Sequence, residues 1–219
     1  MKNIILQHYT GEPGELERLS IANISDYASR IGAEYKLIQG NVFRKSLTAP
    51  CQKMYMLDLV WDEYDYVVMM DIDMFAVNGL TENVFTDISG IGLFTNYTKG
   101  VFNACINRHP FLADKNYAYW GGCLWRLSRD VRKTLRQHIR EHEILQFSGN
   151  FEDEGIMHRL AVHAKMKSDP IPQRWSQCSY LPNPEKAAII HVRTKVTPTG
   201  PKRSKIENYM SLKEQGVIK

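Results

Sequence analysis

Tyr66-Val67-Val68-Met69-Met70-Asp71-Ile72-Asp73 carries five apolar residues straight into two aspartates one residue apart. Such a short, continuous apolar run predicts a strand buried on both faces, as in a parallel sheet. Open α/β sheets place their ligand crevice beyond the carboxyl ends of the strands, which is where the two aspartates sit. On an extended strand, residues i and i+2 face the same side, so Asp71 and Asp73 are expected to converge on one cation. A divalent ion held by carboxylates can bridge to substrate phosphates. A carboxylate pair in a solvated turn would read the same way in isolation, so the flanking sequence has to give the pair its meaning.

Working back from this strand, residues 3–8 predict a first buried strand and residues 9–14 its turn. Residues 15–31 predict a helix, with Leu16, Leu19, Ile24, Tyr27 and Ile31 on one stripe and Gly32 as its stop. Residues 34–38 predict a second strand and 41–50 a loop. A second helix is expected near 51–62, with Met54, Leu57 and Trp61 turned inward. A β-α-β-α-β order implies a parallel, right-handed α/β half.

Working forward, residues 90–95 predict a strand, and 96–116 a long polar connection of the kind that is often functional. Residues 117–127 predict a strand whose Gly121 and Gly122 would let a ligand or another backbone approach closely. Ser128 is placed to cap a basic helix reaching to about Gln146. Residues 151–165 predict a helix that opens on Glu152, Asp153 and Glu154, where the helix dipole also favours acids. Residues 170–175 read as extended, and 187–191 as a last apolar strand ending in His191. Residues 193–205 form a basic stretch expected to be a loop.

A chain of 219 residues, with 43% hydrophobic and 24% charged residues, is expected to fold as one soluble domain. No apolar stretch approaches membrane-spanning length. The N-terminal Met1-Lys2-Asn3-Ile4 turns polar too soon for a signal peptide. A cytoplasmic protein, or a domain of a longer chain, is therefore expected. A net charge of +4 suits an anionic small molecule as readily as a polymer, so it says little about nucleic acid, and no nucleic-acid partner is expected. Cys51, Cys105, Cys123 and Cys178 form no Cys-x-x-Cys pair, which favours buried free thiols over zinc or disulfides. Asn23-Ile24-Ser25 and Asn96-Tyr97-Thr98 match glycosylation acceptors, and without a secretory signal both read as chance.

Taken together, the motif order resembles the metal-dependent, Asp-X-Asp glycosyltransferases of the GT-A fold, over most of the chain. The likeness is nearest to the retaining families numbered 34 and 8 and, in size, to the small glycosyltransferase domains of chlorella viruses. Lys53, followed by Tyr55-Met56-Leu57, resembles the basic-residue helix before the Asp-X-Asp strand. Gly121 and Gly122 resemble the small residues that line the donor sugar. Asp153-Glu154-Gly155-Ile156 resembles a segment that usually reads Asp-Gln, with Glu154 standing where glutamine is usual. Ile171-Pro172-Gln173-Arg174-Trp175 resembles the extended segment after that helix, and His191 the histidine that completes the metal site. After His191 the sequence lacks the glycine seen in many relatives.

The resemblance implies a single GT-A, Rossmann-like domain over 1–219, with a mostly parallel mixed sheet flanked by helices. Residues 1–75 would form the nucleotide-binding half and 76–219 the sugar and acceptor half. It implies transfer of a hexose or deoxyhexose from a UDP-sugar to a glycan or glycoprotein acceptor, with retention. Asp71, Asp73 and His191 would hold Mn2+, with Mg2+ as the second choice, because the set mixes hard oxygens with one imidazole. Asp153 and Glu154 would contact the reacting carbon. The donor would meet His8, Tyr9, Thr10, Lys53, Asp71, Gly121 and Gly122, with Lys195 or Lys202 on its phosphates. Tyr9 could stack on uracil, and Trp120, Trp125 and Trp175 could wall the sugar or simply fill the core. A monomer is expected, in a host cytoplasm if the source is viral.

Two other readings keep the metal or the sugar. A sugar nucleotidyltransferase would show a glycine-rich basic loop after the first strand, and His8-Tyr9-Thr10-Gly11-Glu12-Pro13 is not one. A non-catalytic carbohydrate-binding module need not keep metal ligands, an acidic helix start and a late histidine together.

Overall fold

The computed structural model describes residues 1–89, 91–95, 120–141, 152–166, 170–194 and 203–219. The expectations for Gly90, for the 96–116 connection, for the basic helix beyond 141, and for Phe151, Lys195 and Lys202 lie outside the described residues.

In chain order the strands are β1 (Asn3–Tyr9), β2 (Glu34–Gln39), β3 (Tyr66–Met70), β4 (Met74–Ala76), β5 (Gly92–Thr95), β6 (Trp120–Ser128), β7 (Pro170–Ile171), β8 (Gln177–Cys178) and β9 (Ile189–His191). The described α-helices are α1 (Glu15–Arg30), α2 (Arg129–Glu141), α3 (Glu152–His163) and α4 (Lys205–Glu214). Six strands form one sheet in the order β2-β1-β3-β6-β5-β7. β1 pairs in parallel with β2 and β3, and β5 with β7; only β6 runs against its neighbours. The sheet is therefore mixed and mostly parallel, as expected. A second, small sheet in the order β4-β9-β8 stands beside it.

β3 is the centre of both cores. Val68 and Met70 pack with Ile5, with Ile24 and Tyr27 of α1, and with Phe75 and Ile190 of the small sheet. Val67 and Met69 pack on the other face with Leu6, Met54, Trp61, Trp125 and Leu160. A strand covered on both sides has no solvent face, which is why its sequence is apolar without alternation. Each such side chain contributes about 1.5–3 kcal/mol on burial.

Three local expectations are corrected. The predicted helix at 51–62 is two 3₁₀ segments, Ala49–Leu57 and Leu59–Trp61. Asp58 separates them with extended backbone, and its side chain caps Val60 N at 3.0 Å. Met54, Leu57 and Trp61 are still buried, as the spacing required. Only Pro170–Ile171 of the 170–175 stretch is a strand; after Pro172 the chain closes into a 3₁₀ turn, Gln173–Ser176. Lys205, expected in a loop, opens α4, which Ser204 and Glu207 start with a reciprocal capping box.

Candidate active site

β3 ends at Met70, and Asp71 to Asp73 form a turn closed by Met74 N donating to Asp71 O at 3.3 Å. The two carboxylates therefore do not share a side by strand alternation. β4 begins at once and pairs antiparallel with β9, in a register that sets Met74 opposite His191. Val192 N donates to Asp73 O at 2.9 Å and locks that register. The histidine thus arrives through an antiparallel pair in the small sheet.

The result is compact. His191 Nε2 lies 2.9 Å from Asp73 Oδ1 and 3.8 Å from Asp71 Oδ2. One ligand atom from each of the three lies within 4.8 Å of the others. Asp73 and His191 are buried and Asp71 is half-buried. Two carboxylates and an imidazole fit a divalent cation of the manganese or magnesium type, so the three could hold a metal ion. Burial works against the charge of Asp73, but His191 and then Lys205 outweigh it and hold its carboxyl well below the usual range. Burial likewise lowers His191, but the Asp73 carboxylate wins and raises the imidazole well above its ordinary value. Lys205, at the start of α4, sets its ammonium against the second oxygen of Asp73.

A buried polar network fixes the turn. Gln7 Nε2 donates to Asp71 O and to Ser20 Oγ, each at 3.0 Å, while Tyr35 Oη–H donates to Gln7 Oε1 at 2.8 Å. Ser20 Oγ–H donates to Met74 O at 2.7 Å. Asn23 clasps Ala76 at both ends, accepting from its N–H at 2.7 Å and donating to its carbonyl at 3.1 Å. None of these residues was singled out in the sequence for the site. The available signal on that helix was a pair of polar residues, Ser20 and Asn23, among the apolar positions of its inward face. Asn23 is thereby committed to β4 and not to a glycan.

Lys53 is the second anchor. Its ammonium, 8% exposed, contacts Asp71 Oδ1 at 2.7 Å, Asp153 Oδ2 at 2.6 Å and Gly122 O at 2.6 Å. Burial opposes its charge, yet Asp153 and Asp71 outweigh burial and raise it well above the usual lysine range. Asp153 is therefore tied to a lysine and Asp71 shares that lysine with it. Gly122 makes this approach feasible: a Cβ there would overlap Asp153 Oδ2 and stand 3.0 Å from Glu154 Cγ. Gly122 N donates to Glu154 Oε1 at 2.7 Å. Burial, ahead of every other influence, pushes the Glu154 carboxyl up to about 7.

These groups border a cleft of about 470 Å³ at the carboxyl edge of β1 and β3. His8, Tyr9, Thr10, Lys53, Asp71, Asp73, Gly121, Gly122, Asp153, Glu154 and His191 all line it. His8 is buried, and desolvation lowers its imidazole below the ordinary range; its Nε2–H donates to Gly40 O at 2.8 Å. Lys195 lies outside the described residues. The far wall was missed in the sequence: Ser176, Cys178, Tyr180 and Leu181 come from β8 and its flanks. A strand of two residues leaves no periodic signal. Arg193, from the basic stretch after the last strand, also lines the cleft. Trp125 and Trp175 do not wall the cleft; both are fully buried in the two cores. The Trp120 side chain is outside the described set. Among the described cysteines all three are free, and burial pushes the Cys51 thiol up to about 12. No described helix is long and apolar enough to cross a membrane.

No protein-family model and no curated protein matches the chain by sequence. Solved structures do match by shape. A glycosyltransferase involved in the glycosylation of the major capsid of PBCV-1 superposes with a TM-score of 0.62 at 10% identity, covering 98% of this chain and 100% of that one. The galactosyltransferase LgtC, solved with donor and acceptor sugar analogs, superposes with a TM-score of 0.51 at 12% identity, covering 97% of this chain and 95% of that one. The chain has the GT-A fold of these glycosyltransferases.

Proposed function

We propose that the chain is a divalent-metal-dependent glycosyltransferase, moving a hexose or deoxyhexose from a UDP-sugar to a glycan or other hydroxyl acceptor with retention. One observation carries this reading: Asp71, Asp73 and His191 meet in the lining of a cleft that also gathers Lys53 and the Asp153–Glu154 pair from two other parts of the chain. A structural ion pair would not need an open cleft of ligand size above it. The fold, shared with glycosyltransferases, raises the prior without deciding the chemistry.

Asp71, Asp73 and His191 would hold the ion, and the imidazole favours manganese over magnesium. When bound, a divalent metal supplies charge stabilisation for a departing diphosphate. The chain's own residues do the rest. His8, Tyr9 and Thr10 border the end of the cleft where β1 would receive a base. Lys53 fixes the spacing between Asp71 and Asp153, so that the metal end and the sugar end move as one body. Gly121 and Gly122 leave room for a sugar against β6. Residues 1–75 thus serve the nucleotide and 76–219 the sugar and acceptor, with Lys195 a phosphate contact.

The test is a panel of radiolabelled nucleotide sugars with manganese. Transfer or hydrolysis of a UDP-sugar, lost in Asp73→Asn, is the expected result. Release of pyrophosphate from UTP and a sugar phosphate would instead identify a nucleotidyltransferase. Binding of free glycan without any turnover would identify a carbohydrate-binding module.

A further inference from the structure

We propose that Glu154, which lines the cleft, works as a neutral carboxylic acid, and that its buried, unpartnered Oε2–H is the hydrogen-bond donor α3 offers to a sugar oxygen bound there. The identity of that ligand rests on the functional reading above; the protonation state does not.

The argument is geometric. Glu154 Oε1 accepts from Gly122 N at 2.7 Å. Its Oε2 is buried and has no partner among the described residues, although the residue lines the cleft. Among the described residues, the cation that acts most strongly on Glu154, Lys53, is already committed. Lys53 meets two carboxylates and a carbonyl with its three N–H bonds. From the segment after β9, Arg193 acts on Glu154 only through its charge. Asp71, beyond β3, and Asp153, on Glu154's own helix, add negative charge, and β6 presents only the Gly122 N–H. A buried carboxylate without a counter-ion is costlier than the acid, so protonation is the cheaper state. Burial correspondingly pushes this carboxyl up to about 7.

In the acid, the oxygen that accepts from Gly122 is the carbonyl, so the proton sits on Oε2. A buried O–H with no acceptor is unfavourable until an oxygen arrives to accept it. Sugar hydroxyl and ring oxygens are such acceptors. A neutral Glu154 is also no nucleophile, so retention would not proceed through a covalent bond to this residue.

Glu154→Gln keeps an oxygen for Gly122 and replaces the Oε2–H with an N–H; Glu154→Met removes both. Infrared difference spectroscopy on the protein alone should show a carboxylic-acid carbonyl band that titrates near ~7 and is missing in Glu154→Gln. In the transfer assay, Glu154→Gln should stay within about threefold of the parent and lose the fall in rate above neutral pH. Glu154→Met should fall by about 10- to 100-fold. Absence of the band, or Glu154→Gln as impaired as Glu154→Met, would overturn the proposal. The infrared titration needs no substrate. A protein that shows the band but turns over no nucleotide sugar would keep the neutral acid and sink the glycosyltransferase reading.

Discussion

Lys53 is the residue on which the acidic half of the site depends. It stands between Asp71 and Asp153, and removing it leaves two carboxylates facing each other with no cation. Breaking a buried ion pair by deleting one partner costs about 3–5 kcal/mol. Lys53→Met should lose about that much in urea denaturation at neutral pH, and a loss under about 1 kcal/mol would show that the site relaxes around the gap. The sign of the linkage supports neutral conditions for this test. A lysine whose pKa is raised by folding contributes its full stability below the ordinary lysine range and loses it only at higher pH. The three residues that could hold a metal make a separate prediction. Asp73→Asn should abolish manganese binding in calorimetry, and His191→Ala should weaken manganese more than magnesium, because the lost ligand is nitrogen. A manganese-bound structure with His191 outside the coordination sphere would refute the three-residue site and leave the fold assignment untouched.

At the level of elements, α1 and α4 do more than cover the sheet. The inward face of α1 carries Ser20 and Asn23, and both bind the backbone of the strand that follows the Asp71–Asp73 turn. Asn23→Ala would leave a buried N–H and carbonyl of Ala76 without partners, at a cost of about 1–3 kcal/mol each if water cannot replace the amide. The expected readout is a lowered Tm with manganese binding weakened as β4 loosens; an unchanged Tm would mean that β9 alone holds β4. The start of α4 is electrostatically opposed to metal entry. Lys205 holds one oxygen of Asp73, and its half-exposed ammonium competes with any cation that needs that oxygen. Because partly exposed ion pairs are worth at most about 1 kcal/mol, Lys205→Ala should tighten manganese binding by only about two- to fivefold in the absence of donor. Weaker binding in Lys205→Ala would mean that the lysine organises the site instead of competing for it.

At the scale of the whole molecule, the carboxyl edges of β1 and β3 and the small sheet meet at one cleft, and the donor prediction belongs there. Calorimetry should find UDP tighter than GDP or ADP, and only with metal present; equal affinities would remove Tyr9 and its neighbours as a base site. Proton NMR of the first product decides retention. Much of this plan was legible in the sequence. The unbroken apolar run 66–70 determined a doubly covered strand, and the 3.6-residue stripe of 15–31 determined its helix, because burial and local periodicity are written residue by residue. The same is true of the inward positions Met54, Leu57 and Trp61, even though their segment is 3₁₀. The chain also named the residue types a metal site needs. What only the tertiary structure decided is how they meet: that Asp71 and Asp73 lie in a turn, that His191 reaches them through an antiparallel partner of β4, that Lys53 couples Asp71 to Asp153, and that Ser176, Cys178 and Tyr180 close the far wall. Those relations join segments distant in the chain and hang on the register of strands two or three residues long. A slip of one residue would turn each side chain to the opposite face, and no local preference in the sequence sets that register.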